Sequence, residues 1–271
     1  MSVFQIFQHE GDGKMVGVNF FGDVDLALLA IWMFWLFFFG LIYYLQLENM
    51  REGFPLVDDD GVASRDTKGF VLLKDKTFKL PFGRGSYTVP SGERGDRDDL
   101  ALARTSAANG APYVPTGDPM IDGVGPASWA PRRDVPELDG HGHVKIRPMS
   151  ELEDFHVAGG RDPRGKAVVG GDGEVVGRVV DMWIDVPEAL VRYLTVDLNP
   201  EGTGNLCVVP MTLAQIKKNC VLVNGLFAHN WHDLPRPKDM SQITLLEEEK
   251  ICAFVAGGHR YATASRMANK I

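Results

Sequence analysis

The sequence predicts a single membrane-spanning α-helix followed by a mainly-β domain that ends in a further helix. Three observations indicate this fold class: an uncharged apolar run near the N-terminus, a proline-rich middle, and short apolar segments that precede a capped helical pattern. The chain has 271 residues, enough for one or two domains, and its 45% of hydrophobic residues supports a packed core. Its net charge of −8 argues against nucleic acid as a partner.

The apolar run at residues 26–46 contains no charged side chain. As a helix it spans about 30 Å, the thickness of the hydrocarbon core of a bilayer. A cleavable signal peptide is disfavoured by the length of the run, by its acidic N-terminal flank and by the lack of a small-residue cleavage site. We therefore predict one transmembrane helix, with Tyr43, Tyr44 and Arg51 at the membrane interface.

The charges on either side of this run predict its orientation. Residues 1–25 carry one basic side chain, Lys14, whereas Arg51, Arg65 and Lys68 follow the run closely. Because basic residues favour the cytoplasmic side, we expect an outside N-terminus and a cytoplasmic body. The three widely spaced cysteines lack a CxxC pair, which agrees with a reducing compartment and excludes a cysteine zinc site.

Residues 47–150 are predicted to be extended and rich in turns. Nine of the sixteen prolines lie between Pro81 and Pro148, interleaved with glycine and aspartate. Each proline removes a backbone donor and restricts the residue before it, so this segment cannot hold long helices. Because it has little periodic apolar face of its own, we expect it to lie against other protein surface.

Residues 151–271 are predicted to form a small antiparallel barrel or sandwich with a C-terminal helix. Val168 and Val169, followed by an Asp172-Gly173 turn and a long apolar segment, predict a β-hairpin. Strict alternation in the next strand predicts that Arg192 shares a face with Leu194. Further short strands are predicted at residues 206–209 and 221–223.

The C-terminal helix is predicted from its start signal and its apolar stripe. Thr244 and Glu247 have the spacing of a capping box, and the acidic residues after Leu246 suit the positive end of a helix dipole. Gly257 and Gly258 are expected to end the helix.

One cluster carries chemical interest on its residue types alone. Asp139, His141 and His143 alternate with glycine, and in an extended chain these three side chains point to one side. Two imidazoles and a carboxylate can ligate a divalent metal, or they can collect protons near neutral pH. A solvated surface loop is the alternative, because a pair of histidines two residues apart is a motif of low specificity.

A second group comprises Asp185, Glu188 and Arg192, near the end of one predicted strand and the start of the next. On composition alone, such a group is most often a surface ion pair of little energetic weight. The function of this group depends on which residues or partner molecules lie next to it.

Several strings of residues are too long and unusual to arise from composition. They are GLIYYLQ from Gly40, ENMREG from Glu48, PTGDPM from Pro115, DGVGPASW from Asp122, PELDGHGH from Pro136 and LLEEEKIC from Leu245. On these strings the chain closely resembles the H subunit of the purple-bacterial photosynthetic reaction centre, from Met15 to about Tyr261. The strand-rich part is similar to a PRC-type barrel.

The resemblance implies a structural and proton-transfer subunit, not an enzyme, that caps the cytoplasmic face of the L and M subunits. It implies a single-pass protein of the bacterial inner (intracytoplasmic) membrane, with a periplasmic N-terminus and a cytoplasmic C-terminal domain. This chain alone is expected to bind no cofactor. The resemblance implies that L and M hold the bacteriochlorophyll, bacteriopheophytin, quinone, non-haem iron and carotenoid, and that antenna subunits and membrane lipids are further partners.

Carried over by position, Asp139, His141 and His143 resemble a proton-uptake cluster that can also take up a divalent cation. Asp185, Glu188 and Arg192 resemble part of the route inward to the secondary quinone. Residues 1–14 and the stretch after Tyr261 depart from the family pattern, so no role is carried over to either.

Two other functional classes stand beside this one. The first is a membrane-anchored barrel that acts as an interaction scaffold. The second is a metal-dependent hydrolase built on the histidine cluster, which ranks last because the sequence offers no identifiable base, oxyanion donor or outer partner for the ligands.

Overall fold

The computed structural model describes residues 19–21, 24–51, 74–91, 97–108, 110–199 and 204–268. The described residues fall into two compact units, one within Met1–Lys79 and Ser86–Glu93, the other within Leu80–Gly85 and Arg94–Ile271. Most of the predicted N-terminal segment lies outside the described residues, as do Arg65 and Lys68, on which the orientation partly rests. The predicted boundary at residue 150 does not coincide with the division between these units.

The first unit contains the predicted membrane helix. A short antiparallel pair, β1 (Asn19–Phe21) and β2 (Val24–Asp25), precedes α1 (Leu26–Asn49). This helix is long and apolar enough to cross a membrane. Its side chains at residues 26–46 are exposed in the described chain, so lipid or other proteins must cover this apolar surface.

The C-terminal end of α1 is joined to a hairpin of β3 (Lys76–Lys79) and β4 (Ser86–Val89). Glu48 accepts hydrogen bonds from Arg51 Nε over 3.0 Å and from Lys76 Nζ over 2.9 Å. Arg51 also donates to the carbonyl of Lys74 over 2.8 Å. These contacts bind the helix end to the hairpin.

The second unit begins with turn-rich chain that contains one antiparallel pair, β5 (Leu102–Arg104) and β6 (Tyr113–Pro115). No α-helix occurs in the described parts of residues 74–150, as the prolines predict.

A seven-stranded sheet follows. Its strands are β7 (Ile146–Pro148), β8 (Ala167–Gly170), β9 (Val175–Asp185), β10 (Leu190–Asp197), β11 (Leu206–Pro210), β12 (Gln215–Ile216) and β13 (Cys220–Val223). The order is β11-β10-β9-β8-β13-β12, with β7 also paired to β9. Every pairing is antiparallel except that of β13 with β8. Among the described residues β11 and β12 do not pair with each other, so the sheet is an open half-barrel.

The β8–β9 hairpin confirms the prediction made from its turn residues. Gly173 has a φ of 87°, a left-handed conformation that suits glycine, and its N–H donates to the carbonyl of Gly170. Asp172 accepts a hydrogen bond from the amide of Glu174 over 3.2 Å, which stabilises the turn further.

A β-bulge interrupts the predicted alternation of β10. Val191 pairs with Ile184 and Tyr193 pairs with Trp183, so Arg192 is an extra residue with no partner on β9. Val191 consequently packs with Leu194 in the core cluster inside the half-barrel. The prediction that Arg192 shares the face of Leu194 is therefore wrong at this point.

Both faces of the sheet are covered. The inner cluster includes Leu194, Val196 and Val209 of the central strands. A second cluster joins Trp183 and Tyr193 on the other face to Ile251 of α2 (Leu245–Tyr261). Burial on two sides makes these central strands a rigid support for the residues at their ends.

The capping box of α2 is confirmed, because Thr244 Oγ1 accepts from the amide of Glu247 and Glu247 accepts from the amide of Thr244. The predicted stop at Gly257 and Gly258 is wrong. An added Cβ at Gly257 would lie 2.4 Å from Cβ of Ala127, and one at Gly258 would lie 2.3 Å from the carbonyl oxygen of Gly225. These glycines permit close packing within a continuing helix.

A short helix, α3 (Ala264–Ala268), follows α2. Arg266 donates hydrogen bonds to the carbonyls of Asn224, Gly225 and Gly258. This arginine therefore joins α3 by hydrogen bonds to α2 and to the segment that follows β13.

Candidate functional site

The predicted histidine cluster lies at the tip of a short hairpin formed by residues 136–145. The amide of Asp139 donates to the carbonyl of His143 over 2.8 Å, and the amide of Lys145 donates to the carbonyl of Glu137 over 2.9 Å. These bonds bring the two ends of the cluster together, so the tip is an ordered turn.

The Asp139 carboxylate organises this turn. Its Oδ1 accepts hydrogen bonds from the amides of His141 and His143 over 2.8 and 2.9 Å. The His143 amide, assisted by that of His141, holds the pKa of the Asp139 carboxyl below its usual value. The other oxygen, Oδ2, lies 3.5 Å from Nδ1 of His143. The carboxylate therefore stays charged beside an imidazole.

Glycine is required at one position of the tip. Gly142 has a φ of 91°, which other residues rarely adopt, and an added Cβ would lie 2.8 Å from the Phe82 ring. The ring supports the underside of the turn and so helps to hold the flanking histidines in place.

Both imidazoles face solvent, and the side chain of His143 is 79% exposed. The two rings lie 6.4 Å apart, and one oxygen of Asp139 is already bound to the turn. Across the described parts of the chain, no three His, Cys, Asp or Glu side chains form a group arranged to hold a metal ion. The divalent-cation site at Asp139, His141 and His143 therefore stays a prediction, and the hydrolase alternative gains no support.

The hairpin continues directly into the sheet and thereby positions the second predicted group. Ile146 of β7 pairs with Asp185 at the end of β9, and the amide of Val186 donates to the carbonyl of Lys145 over 3.0 Å. Lys145 is thus placed at the end of β9, between the histidine turn and the predicted acidic group.

Lys145 is the centre of a charged cluster that was not predicted from the sequence. Its Nζ lies 3.3 Å from both Asp185 Oδ2 and Glu188 Oε1, and 3.7 Å from Glu137 Oε2. Partial burial alone would lower the pKa of Lys145, but the carboxylates of Asp185 and Glu137 outweigh burial and raise it. The lysine therefore remains a cation throughout the neutral range.

The structure brings Asp185, Glu188 and Arg192 together, as the sequence predicts. Asp185 Oδ2 lies 3.4 Å from Nε of Arg192, and Asp185 Oδ1 accepts a hydrogen bond from the amide of Glu188 over 3.3 Å. The interpretation as a surface ion pair is wrong for Asp185, which is fully buried. Its Oδ2 is close to two cations but accepts no well-aligned hydrogen bond from the described residues.

A polar cleft of about 230 Å³ is lined by Arg192 and by Glu137. There, the hydroxyl of Tyr193 donates to the carboxylate of Glu248 over 2.6 Å. Burial raises the pKa of Glu248, although the Tyr193 hydrogen bond opposes this shift. Glu248 was predicted only to favour the helix dipole, and its role beside Arg192 depends on how α2 packs on the sheet.

A signal for part of this cluster was present in the sequence. Glu137, Asp139, His141, His143 and Lys145 follow one another at every second position, which in a hairpin places them on one side. Extending the alternation by one step in each direction would have added Glu137 and Lys145 to the candidate residues.

Two family models match the chain in sequence order. The model described as "Photosynthetic reaction centre, H-chain N-terminal region" matches residues 18–151, and the model described as "PRC-barrel domain" matches residues 156–227. The first match includes α1 and the histidine hairpin, and the second includes the strands β8 to β13. Together they cover most of the chain and agree with the predicted resemblance and fold class. The chain belongs to the family of photosynthetic reaction-centre H subunits.

Proposed function

We propose that this H subunit caps the cytoplasmic face of the L and M subunits, stabilises their secondary quinone site and conducts protons to the reduced quinone. Family membership makes the chain a subunit of the reaction-centre complex, and its apolar helix fits a membrane anchor. The observation that carries the proton-transfer proposal is the hairpin strand that runs from exposed His143 to Lys145, whose side chain lies beside fully buried Asp185.

Proton uptake begins at the exposed imidazoles. A histidine with a pKa near its unperturbed value of about 6.5 can take up and release protons near neutral pH. Oδ2 of Asp139 lies 3.5 Å from Nδ1 of His143. His141 and His143 therefore collect protons from solvent, next to the carboxylate of Asp139.

Transfer inward requires carboxylates that can hold a proton away from bulk water. Glu188 is half exposed and Asp185 is fully buried, so the two form successive steps from the surface to the interior. Lys145 lies between these two carboxylates, and Arg192 contacts the buried one. Arg192 also lines the cleft of Glu248, and the raised pKa of Glu248 makes this carboxyl suited to hold a proton.

The remaining parts of the proposal concern the partners. L and M hold the bacteriochlorophyll, bacteriopheophytin, quinone, non-haem iron and carotenoid, and this chain contributes the cap and the proton route. The N-terminus is periplasmic and the sheet domain is cytoplasmic. Tyr43 and Tyr44 are exposed near the end of α1, and Arg51 follows that end, which are suitable positions for contact with lipid headgroups. Antenna subunits contact the outer surface of the complex.

The capping role is tested by affinity purification of the full chain from native membranes in mild detergent. Near-infrared bands of bacteriochlorophyll that bleach reversibly on illumination would support it. A colourless preparation without partner subunits would favour a free-standing membrane-anchored scaffold instead.

The proton route is tested in the purified reaction centre with His141→Ala and His143→Ala combined. We expect flash-induced proton uptake to become slower while the pigment spectrum, a measure of assembly, stays unchanged. His232→Ala is the matched control, because the His232 side chain is 92% exposed and outside this cluster. An unchanged uptake rate in the double variant, measured without added metal, would refute the role of the histidines.

A further inference from the structure

A second pocket opens inside the half-barrel, apart from the charged cluster. Its volume is about 450 Å³, within the range of pockets that bind small ligands. The loop at residues 155–161 forms one wall, and the ends of β9 and β10 form another. The buried or half-buried side chains that line it include Met149, Met182, Ile184, Val191, Met211 and Ile216.

The lining is apolar with a single fixed charge at its edge. Among the described residues that line the pocket, Arg161 alone carries a permanent charge, and no carboxylate is present. Arg161 is exposed and makes no ion pair or hydrogen bond with the described parts of the chain. Three methionines supply flexible and polarisable surface that adapts to an unbranched ligand.

The backbone at the mouth of the pocket has unusual conformations. Ala189, in the turn between β9 and β10, has a φ of 51°, a left-handed conformation that is unfavourable for a residue with a Cβ. Gly160 in the opposite loop has a φ of 84°. Both residues have minimal side chains, so no large side chain at these two positions blocks the entrance of the pocket. A strained position such as that of Ala189 is found more often at binding sites than elsewhere.

From these observations we infer that the pocket binds one long-chain fatty acid, with its hydrocarbon chain among the methionines and its carboxylate at Arg161. An apolar interior with one unpaired cation at the edge complements an anion with a long apolar tail. The volume suits a single chain, whereas a two-chain phospholipid would leave one chain outside. The membrane anchor of the same polypeptide keeps the domain close to a source of such molecules.

The experiment uses reaction centres in native membranes and a photoactivatable probe, hexadecanoic acid with a diazirine at the end of its chain. After illumination, mass spectrometry of peptides should locate the probe on the segment that contains Met182 and Ile184. Ala158→Trp places a bulky ring at an exposed lining position and should reduce this labelling to background. Arg161→Gln should reduce it about two- to fivefold, as expected for one exposed charged contact.

The matched control is Arg178→Gln, which removes an exposed arginine that does not line the pocket and should leave labelling unchanged. Two further probes separate the possible ligands. Equal labelling by the uncharged hexadecanol analogue would overturn the role of Arg161. Labelling by a diazirine phosphatidylglycerol in place of the fatty acid would overturn the single-chain assignment, and labelling that persists in Ala158→Trp would overturn the site itself.

Discussion

Nζ of Lys145 lies 3.3 Å from Oδ2 of Asp185, and this contact joins the hairpin of the histidine turn to the buried end of β9. Asp185 is fully buried, and Lys145 and Arg192 are the two cations beside it among the described residues. A charge removed from water in this way is tolerated only while its partners remain.

Lys145→Met should therefore destabilise the domain. We expect the free energy of unfolding to fall by about 2 to 3 kcal/mol. A buried pair that loses one partner costs about 3–5 kcal/mol, and the cost here is smaller because Arg192 remains beside Asp185. The measurement is denaturant unfolding of the full chain in detergent. Lys145→Arg should retain most of the stability.

Two variants test whether the cause is the buried charge. Adding Asp185→Asn to Lys145→Met should restore part of the lost stability, since no unpaired carboxylate is then left inside. Lys218→Met, at an exposed position, should change the unfolding free energy by less than about 0.5 kcal/mol. If the double variant is less stable than the single one, the contact acts through packing and not through charge.

The turn at Asp139 should open in acid. Its amide hydrogen bonds favour the charged carboxylate, so the pKa is lower in the folded turn than in the unfolded chain. The stabilisation is complete above the unfolded value of about 3.9 and is lost as the pH falls through the lower folded value. NMR shifts of the His141 and His143 amides should therefore move towards unfolded values only below about pH 4.

Asp139→Asn separates the charge from the hydrogen bonds. The amide oxygen still accepts from the two backbone donors, so the turn should persist and its acid transition should disappear. Asp139→Ala should lose the turn at all pH values. An acid transition that survives in Asp139→Asn would assign it to another group.

Gly257→Ala should destabilise the packing of α2. Its added Cβ would lie 2.4 Å from Cβ of Ala127, and overpacking of this kind costs about 1–3 kcal/mol. Gly159→Ala is the control, because a Cβ there meets nothing within 4 Å. In denaturant unfolding, the free energy of unfolding should be clearly lower for Gly257→Ala than for Gly159→Ala. Equal stability would mean that α2 can shift away from Ala127 without cost.

Tyr193→Phe should raise the pKa of Glu248 still further, because the lost hydrogen bond is the one that opposes the effect of burial. The same change should cost about 1 to 2 kcal/mol of stability. Infrared titration of the protonated carboxyl band of the full chain reports the pKa, with Tyr193→Phe in a Glu248→Gln background as the control. A titration that does not change would mean that Tyr193 has no influence on this carboxyl.

Local signals predicted local structure well. The uncharged run predicted α1, Asp172 with Gly173 predicted a hairpin turn, and Thr244 with Glu247 predicted the start of α2. Each of these signals acts on residues that are close in sequence, so the local sequence is enough to predict the structure that forms there. The turn that joins Asp139 and His143 is also local, but the alternation of these residues was interpreted as extended chain, so the turn itself was not predicted.

Contacts between distant segments could not be predicted in the same way. Lys145 reaches Asp185 only because β7 pairs with the end of β9, and no local pattern specifies that pairing. The bulge at Arg192 changes the face of Val191, which strict alternation cannot anticipate. Gly257 resembles a helix stop until the close approach of Ala127 is known.

The parallel pairing of β13 with β8 has a consequence for the order in which the protein is made. It aligns Cys220 with Ala167, so one edge of β8 remains without its partner until the ribosome has produced much of the later chain. α1 precedes all of these strands and leaves the ribosome first. The helix that is long and apolar enough to cross a membrane is therefore made while the sheet is still incomplete, and closure of the sheet domain is a late event in synthesis.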